Sequence, residues 1–199
     1  MADKCYQDYL VDLVAPGSRV LDLGCGDGAL LDRLRVEKNV QGYGIDILYD
    51  SILSCTRREI SAFQGNLDEG LAEFSDHAFD CVILSQTLQQ VTRPLFVIEE
   101  MLRVGKKGIV TFPNFGYWDV RWQVLFNGHA PKTKTLPYEW YETPNIRVLT
   151  IQDFRDLCAE NGIRIVSEYA IDTFFSRHLL PHAFYNLLCR QGLFVIDRG

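Results

Sequence analysis

The chain has 199 residues, 47% hydrophobic and 23% charged, with a formal net charge of −6, a balance that fits one folded α/β domain over 1–199 and supplies no basic stripe for a nucleic-acid backbone. No apolar run approaches the roughly eighteen residues a membrane helix needs, and the first residues lack the charged-then-apolar pattern of a signal peptide, so a cytoplasmic protein with no nucleic-acid and no membrane partner is expected. The cysteines (Cys5, Cys25, Cys55, Cys81, Cys158, Cys189) are scattered without a C-x-x-C pair or histidines at zinc spacing, which predicts reduced thiols and no metal site.

In chain order, Tyr6, Tyr9, Leu10, Leu13 and Val14 form a helical stripe. The stripe predicts a helix over 3–13 that lids one face of a sheet or of a ligand site, stopped by Pro16-Gly17. The short apolar run Val20-Leu21-Asp22-Leu23 then turns over on Gly24, Gly26 and Gly28 into 29–36, where Leu30, Leu31 and Leu34 share a face. This is a buried strand, a glycine turn and a helix. Glycine tolerates positive φ and lets a ligand approach the backbone, and the new helix offers unpaired N–H groups, so the turn reads as a nucleotide-type site. The bland alternative is a strand-turn-helix without a ligand. The glycine spacing is one residue shorter than the dinucleotide fingerprint, and Asp22 and Asp27 flank the loop. Carboxylates so placed would repel a pyrophosphate and suit a ligand with an amino group and a sulfonium. The next strand, 41–47, carries Asp46, 22 positions after Gly24, near the offset at which an acid meets ribose hydroxyls.

A helix over 50–58, a short strand over 61–64, a strand over 79–84, a helix over 94–104 opening on Pro94 and a strand over 108–112 follow. The alternation predicts a parallel sheet with helices on both faces and a ligand at the carboxyl ends of the strands. Residues 113–148 break it. They hold all three tryptophans, Trp118, Trp122 and Trp140, with Tyr117, Tyr138 and Tyr141, and read as a cap over the cleft, a partner surface, or both; for any individual tryptophan, packing into a satellite core is the plainer reading. Thr150 caps a helix that Asn161-Gly162 ends, and strands over 163–171 and 192–196 should pair antiparallel at the sheet edge. Pro181 between His178 and His182, with no carboxylate beside them, argues against a metal there.

With these elements in place, the sequence resembles the class I S-adenosylmethionine-dependent methyltransferases, with Asp22, Gly24, Gly26 and Gly28 on their first motif and Asp46 on their ribose-binding acid. Within them it resembles the methionine-biosynthesis MetW family. That match rests on Gln64-Gly65-Asn66-Leu67-Asp68-Glu69-Gly70-Leu71, Ile83-Leu84-Ser85-Gln86-Thr87-Leu88-Gln89, Phe112-Pro113-Asn114-Phe115-Gly116 and the run from Leu136 to Ile146. Arg147 stands where the family pattern is expected to have histidine.

The resemblance implies a Rossmann-like class I methyltransferase sheet, mostly parallel with an antiparallel edge pair, and S-adenosylmethionine or S-adenosylhomocysteine as ligand. It places Asp22 and the Gly24-Cys25-Gly26 loop at the methionine portion, Asp46 and Ile47 at the ribose end, and Asn66 and Leu67 at the adenine. Ser85 opens the acceptor-facing stretch Ser85-Gln86-Thr87-Leu88-Gln89-Gln90, which offers no His, Asp, Glu or Lys. Its amides either orient an acceptor or cap the loop, and no catalytic residue is assigned. Two classes of function stay open: a methyltransferase acting on a small molecule, and a cofactor-binding partner of homoserine O-acyltransferase. The family resemblance implies the second, with activation or regulation of that enzyme as the role. The absence of a G-x-S-x-G elbow leaves acyl chemistry to the partner.

Overall fold

Side-chain alternation along the central strands builds two cores on opposite faces of one sheet. The computed structural model describes residues 6–173 and 181–199; the first residues of the expected helix over 3–13, together with Cys5 and His178, lie outside them. In chain order the elements are α1 (Tyr6–Leu13), β1 (Arg19–Leu23), α2 (Ala29–Lys38), β2 (Gln41–Asp46), α3 (Tyr49–Arg57), β3 (Ser61–Gln64), β4 (Cys81–Ser85), α4 (Pro94–Val104), β5 (Gly108–Pro113), α5 (Trp118–Trp122), α6 (Ile151–Glu160), β6 (Ile163–Thr173), α7 (Tyr185–Leu188) and β7 (Cys189–Arg198). Val20, Ile83 and Ile109 point to a core shared with Leu10, Leu31, Leu34 and Cys55 of α1, α2 and α3. Their neighbours Leu21, Val82 and Val110 point to the other, with Ile98 of α4 and Phe154 of α6. Each fully buried Leu or Ile of this kind stabilises the fold by roughly 1.5–3 kcal/mol.

The sheet order is β3-β2-β1-β4-β5-β7-β6. β1 to β5 run parallel, while β7 is antiparallel to both β5 and β6. The reversed strand therefore lies inside the sheet and β6 forms its edge. This is the Rossmann-like methyltransferase sheet expected from the sequence. β7 begins at Cys189 rather than at Gly192, because its ladder with β6 continues through Ile171↔Gln191 to Thr173↔Cys189. Between β3 and β4 there is only a 3-10 turn, Leu67–Glu69, in place of a helix.

The termini follow local chemistry. α4 opens on Pro94, and α6 on a capping box in which Thr150 and Asp153 satisfy each other's backbone N–H groups. α1 lids a face of the sheet rather than the cleft: Leu10 and Val11 are buried in the α2-side core, and Asp8 pairs with Arg33 of α2 at 2.7 Å. Beyond β5, Asn114 is buried and uses both ends of its amide. Its Nδ2 donates to the carbonyls of Asn186 (2.9 Å) and Cys189 (2.8 Å), and its Oδ1 accepts from the amides of Gly116 (2.9 Å) and Ile151 (3.2 Å). Residues 116 to 148 leave and return beside this side chain, with Phe115 N donating to Leu149 O at 3.0 Å. Tyr117, Val120 and Leu136 form a small core of their own. No helix among the described residues is long and apolar enough to cross a membrane.

Candidate functional site

Because β1, β2, β3 and β4 are parallel, their carboxyl ends deliver the glycine loop, Asp46, Asn66 and Ser85 to one edge of the sheet. There they enclose an open cleft of about 340 Å³. Gly24, Asp46, Ile47, Asn66, Leu67 and Ser85 all line it. Gly24, Gly26 and Gly28 have φ of 79°, 54° and 76°, values other residues rarely adopt. At Gly24 a second constraint applies, since a Cβ there would overlap Thr87 Oγ1 and lie 2.8 Å from its Cγ2. The loop and the β4 end thus interlock, and the sequence reading had no local signal for the pairing.

Asp46 is held by the backbone: its Oδ2 accepts from Gly26 N at 2.8 Å and its Oδ1 from Leu48 N at 2.9 Å. Each carboxylate oxygen keeps a lone-pair direction for a further donor such as a ribose hydroxyl. Asp22 is buried, and its Oδ1 has no hydrogen-bond partner in the protein. Burial, and secondarily the charge on Asp46, push its pKa up to about 7. Among the described residues, no group of three or more His, Cys, Asp or Glu is arranged to hold a metal ion.

Other candidates take different positions. The Cys25 side chain packs behind the loop, its Sγ 3.8 Å from Cys55 Sγ, and its amide donates to Ile45 O at 3.0 Å. Neither Cys25 nor Gly26 forms part of the cleft wall. Asp27, expected to flank the ligand with Asp22, instead pairs with Arg58 at 2.8 Å and accepts from Ala29 N at 3.2 Å, with its side chain 58% exposed. Of the acids in this region, Asp46 and Asp68 line the cleft, while Asp22 lies buried behind the loop and outside the cleft wall. Asn66 caps the 3-10 turn, Oδ1 accepting from Asp68 N at 3.1 Å and Nδ2 donating to Glu69 Oε1 at 3.2 Å. One N–H of that amide stays available to an acceptor on a bound base.

On the β4 side, Gln86 and Gln90 line the cleft, with the Nε2 groups of Gln86, Gln89 and Gln90 donating within the protein. Gln86 takes φ 55°, donating from its amide N to Thr111 O at 2.9 Å and from Nε2 to Thr111 Oγ1 at 3.1 Å. Its own carbonyl accepts from Gln89 Nε2 at 2.7 Å and from Gln90 Nε2 at 3.0 Å. Their Nε2 groups thus cap the loop, while Gln89 Oε1 is buried without a partner. The oxygens of Asp68 accept from the amides of Thr92 (3.0 Å) and Arg93 (2.7 Å) and fix the turn that walls the cleft. Arg147 donates to Thr92 O at 2.6 Å. Only the fold brings positions 68, 92 and 147 together.

The cleft therefore has backbone-held carboxylate oxygens, an unpartnered buried carboxyl behind the loop, and Ile47 and Leu67 as apolar walls. These suit a nucleoside carrying a cationic amino-acid arm, which is the chemistry of S-adenosylmethionine. The model of the family described as methionine biosynthesis protein MetW matches residues 5–196. The bifunctional methionine biosynthesis protein MetXA/MetW of Rhodopirellula baltica is 34% identical over 201 residues, covering 96% of this chain but only 32% of that protein. Among solved structures, an S-adenosylmethionine-dependent methyltransferase of Mesorhizobium loti superposes with a TM-score of 0.69 at 16% identity, covering 96% of each chain. A complex of the Haloferax volcanii Trm112 methyltransferase activator with a methyltransferase gives 0.65 at 17%, covering 96% of this chain and 88% of that one. At such identities the structural likenesses show the fold.

Proposed function

From the premise that the chain belongs to the family of methionine biosynthesis protein MetW, we propose that it binds S-adenosylmethionine in the β1–β4 cleft and acts by associating with a homoserine O-acyltransferase, whose activity it regulates. The observation that carries this reading is the contrast between the two sides of the cleft. The cofactor side keeps an amide-held Asp46, a buried Asp22 and apolar walls. The side where an acceptor would sit offers no His, Glu or Lys among the described residues, and the Nε2 groups of Gln86, Gln89 and Gln90 are spent on Thr111 Oγ1 and on the Gln86 carbonyl. The fused relative, of which this chain spans about a third, supports an acyltransferase as partner, since its name joins MetXA to MetW in one polypeptide.

In this reading Asp46 accepts from the ribose hydroxyls, the glycine loop passes the amino-acid arm toward Asp22, and Leu67 packs on the base beside Asn66. The whole lies in the cytoplasm, with residues 113–148 as the cap of a single domain. A regulatory effect requires that the ligand bind one conformation of the complex better than another. The test is acyltransferase rate and complex formation, with and without this protein and with and without S-adenosylmethionine. A stable complex whose rate responds to the ligand is expected. No complex, together with transfer of a labelled methyl group to a small molecule, would overturn the reading in favour of an independent methyltransferase.

A further inference from the structure

The helix after β5 is turned inside out. α5 continues into a π-helical turn, Gln123–Asn127, so 118–127 form one helical stretch. Its apolar stripe Trp118, Trp122, Leu125 and Phe126, at the spacing of one helix face, points to solvent. Val120 alone of this stretch is buried, against Tyr117 and Leu136. Beside it, Gln123 Oε1 accepts from Lys132 N at 2.9 Å, which fixes the helix to the 130–148 strand of irregular chain. There Tyr138, Trp140 and Tyr141 are exposed, and Tyr138 and Trp140 line a second hollow of about 250 Å³ with Ile146 and Val148. π-helical turns of this kind recur at functional sites.

The exposed aromatics fall in two clusters, one holding Trp122 and Phe126 and the other Trp140 and Tyr141, on segments joined by the Gln123–Lys132 bond. The six aromatics are between 42% and 73% exposed, which at about 200 Å² each amounts to on the order of 700 Å². A monomer's largest apolar patch is typically ~300–600 Å², whereas one partner of a standard interface buries ~800 Å². Tryptophan and tyrosine are the residues that concentrate binding energy at such interfaces. Residues 113–148 carry a net charge of +1 in a chain of −6, so the segment does not share the acidic excess of the rest of the chain.

We propose that the aromatic face of 118–148, with Trp122, Phe126, Trp140 and Tyr141 at its centre, is the surface on which the homoserine O-acyltransferase docks; the inference rests on the function proposed above. The occupant is argued from the fused relative, where a sequence matching 96% of this chain, this face included, shares one polypeptide with the MetXA part. The contact is of the helix-in-groove type, with the 118–127 stripe entering an apolar groove of the enzyme.

The experiment measures the affinity of the full chain for the acyltransferase by calorimetry, alongside S-adenosylmethionine affinity and thermal unfolding. Three proteins are compared: wild type, Trp122→Ala with Phe126→Ala, and Trp140→Ser. Their mass in solution is determined by light scattering. A loss of at least tenfold in acyltransferase affinity is expected in both variants, with ligand affinity and melting temperature unchanged. If the wild type binds the enzyme and both variants bind it equally well, the docking surface is wrong while the proposed function stands. If the wild type does not bind the enzyme, the proposed function itself fails. A wild-type dimer that the variants dissociate, with enzyme binding intact, would give the face to a second copy of this chain and overturn the proposal, as would loss of binding to anionic vesicles alone.

Discussion

The Arg147 guanidinium donates to the carbonyl of Thr92 at 2.6 Å, which ties the aromatic segment to the wall of the cleft. It is reinforced at the backbone, where the amides of Ile146 and Arg147 both donate to Gln89 O at 3.0 Å. Thr92 in turn donates its amide to Asp68, whose own amide bonds to Asn66. Arg147→Ala removes a hydrogen bond from a charged donor, an interaction worth about 1.5–3 kcal/mol when well formed and less at an exposed site. Amide exchange at Ile146 and Arg147 should accelerate roughly tenfold, equivalent to about 1.4 kcal/mol, with little change at β1 or β4. Hydrogen exchange read by NMR checks this; unchanged protection at both amides would show that the segment is held by its own small core instead.

Asp46→Ala should weaken S-adenosylmethionine binding by about 1.5–3 kcal/mol through lost charge-assisted hydrogen bonds. It also strands the Gly26 and Leu48 amides that Asp46 now accepts from, so the melting temperature should fall as well. Asp46→Asn, which keeps one acceptor oxygen, should restore part of the stability and less of the affinity. Calorimetry with parallel thermal unfolding separates the two effects, and wild-type affinity in the alanine variant would remove Asp46 from the site.

Gly24→Ala forces a side chain into positive φ and against Thr87. A cost of about 2–4 kcal/mol is expected, the strained backbone contributing roughly 1–2 of it. Urea unfolding of Gly24→Ala and of Gly24→Ala with Thr87→Ala should show the second variant recovering the steric part only. Equal stability of the two would mean that Thr87 yields without cost.

Asp22 sets a pH dependence whose sign is fixed by the direction of its shift. Folded, it titrates near 7; unfolded, near about 3.9. Between these values the folded protein holds a proton that the unfolded chain has lost. The stabilisation is complete below about 4 and is lost as pH rises toward 7, by about 1.4 kcal/mol per pH unit of the window. Glu100 works the other way, its pKa lowered to about 2 chiefly by hydrogen bonds from Arg103. Its contribution changes only below about pH 4.5, so unfolding measured from pH 5 to 7.5 reports Asp22. Asp22→Asn should flatten the decline, and an unchanged slope would assign it to another group.

What the sequence made legible was periodic or punctuated. Val20 and Leu21, or Ile83 and Val82, declare their opposite faces by alternation, and Gly24, Gly26, Gly28 and Asp46 announce a turn and a strand end by residue type alone. The illegible parts were contacts across the fold. Asp27 has the charge to face a cation, yet Arg58, on the far side of the loop, takes it. Asp68 carries no local mark of its task, and only the approach of residues 92 and 93 shows that it builds a turn. Gln86, Gln89 and Gln90 read equally as substrate contacts or caps until Thr111 of β5 is set beside them. β7 extends beyond the expected 192–196 at both ends because β6 pairs with it from Cys189 to Arg198.

The saturated amide of Asn114 makes residues 116–148 a closed excursion, leaving the end of β5 and rejoining the fold beside it at the start of α6. Phe115 and Leu149 are already a hydrogen bond apart, so a short turn can bridge them. Loop-closure entropy grows only logarithmically with length. Evolution can therefore lengthen, shorten or repaint this excursion without re-registering a single strand. If the proposed docking holds, recognition and scaffold are separable traits, and a relative with the same sheet can acquire a different partner by rewriting one contiguous stretch of its gene.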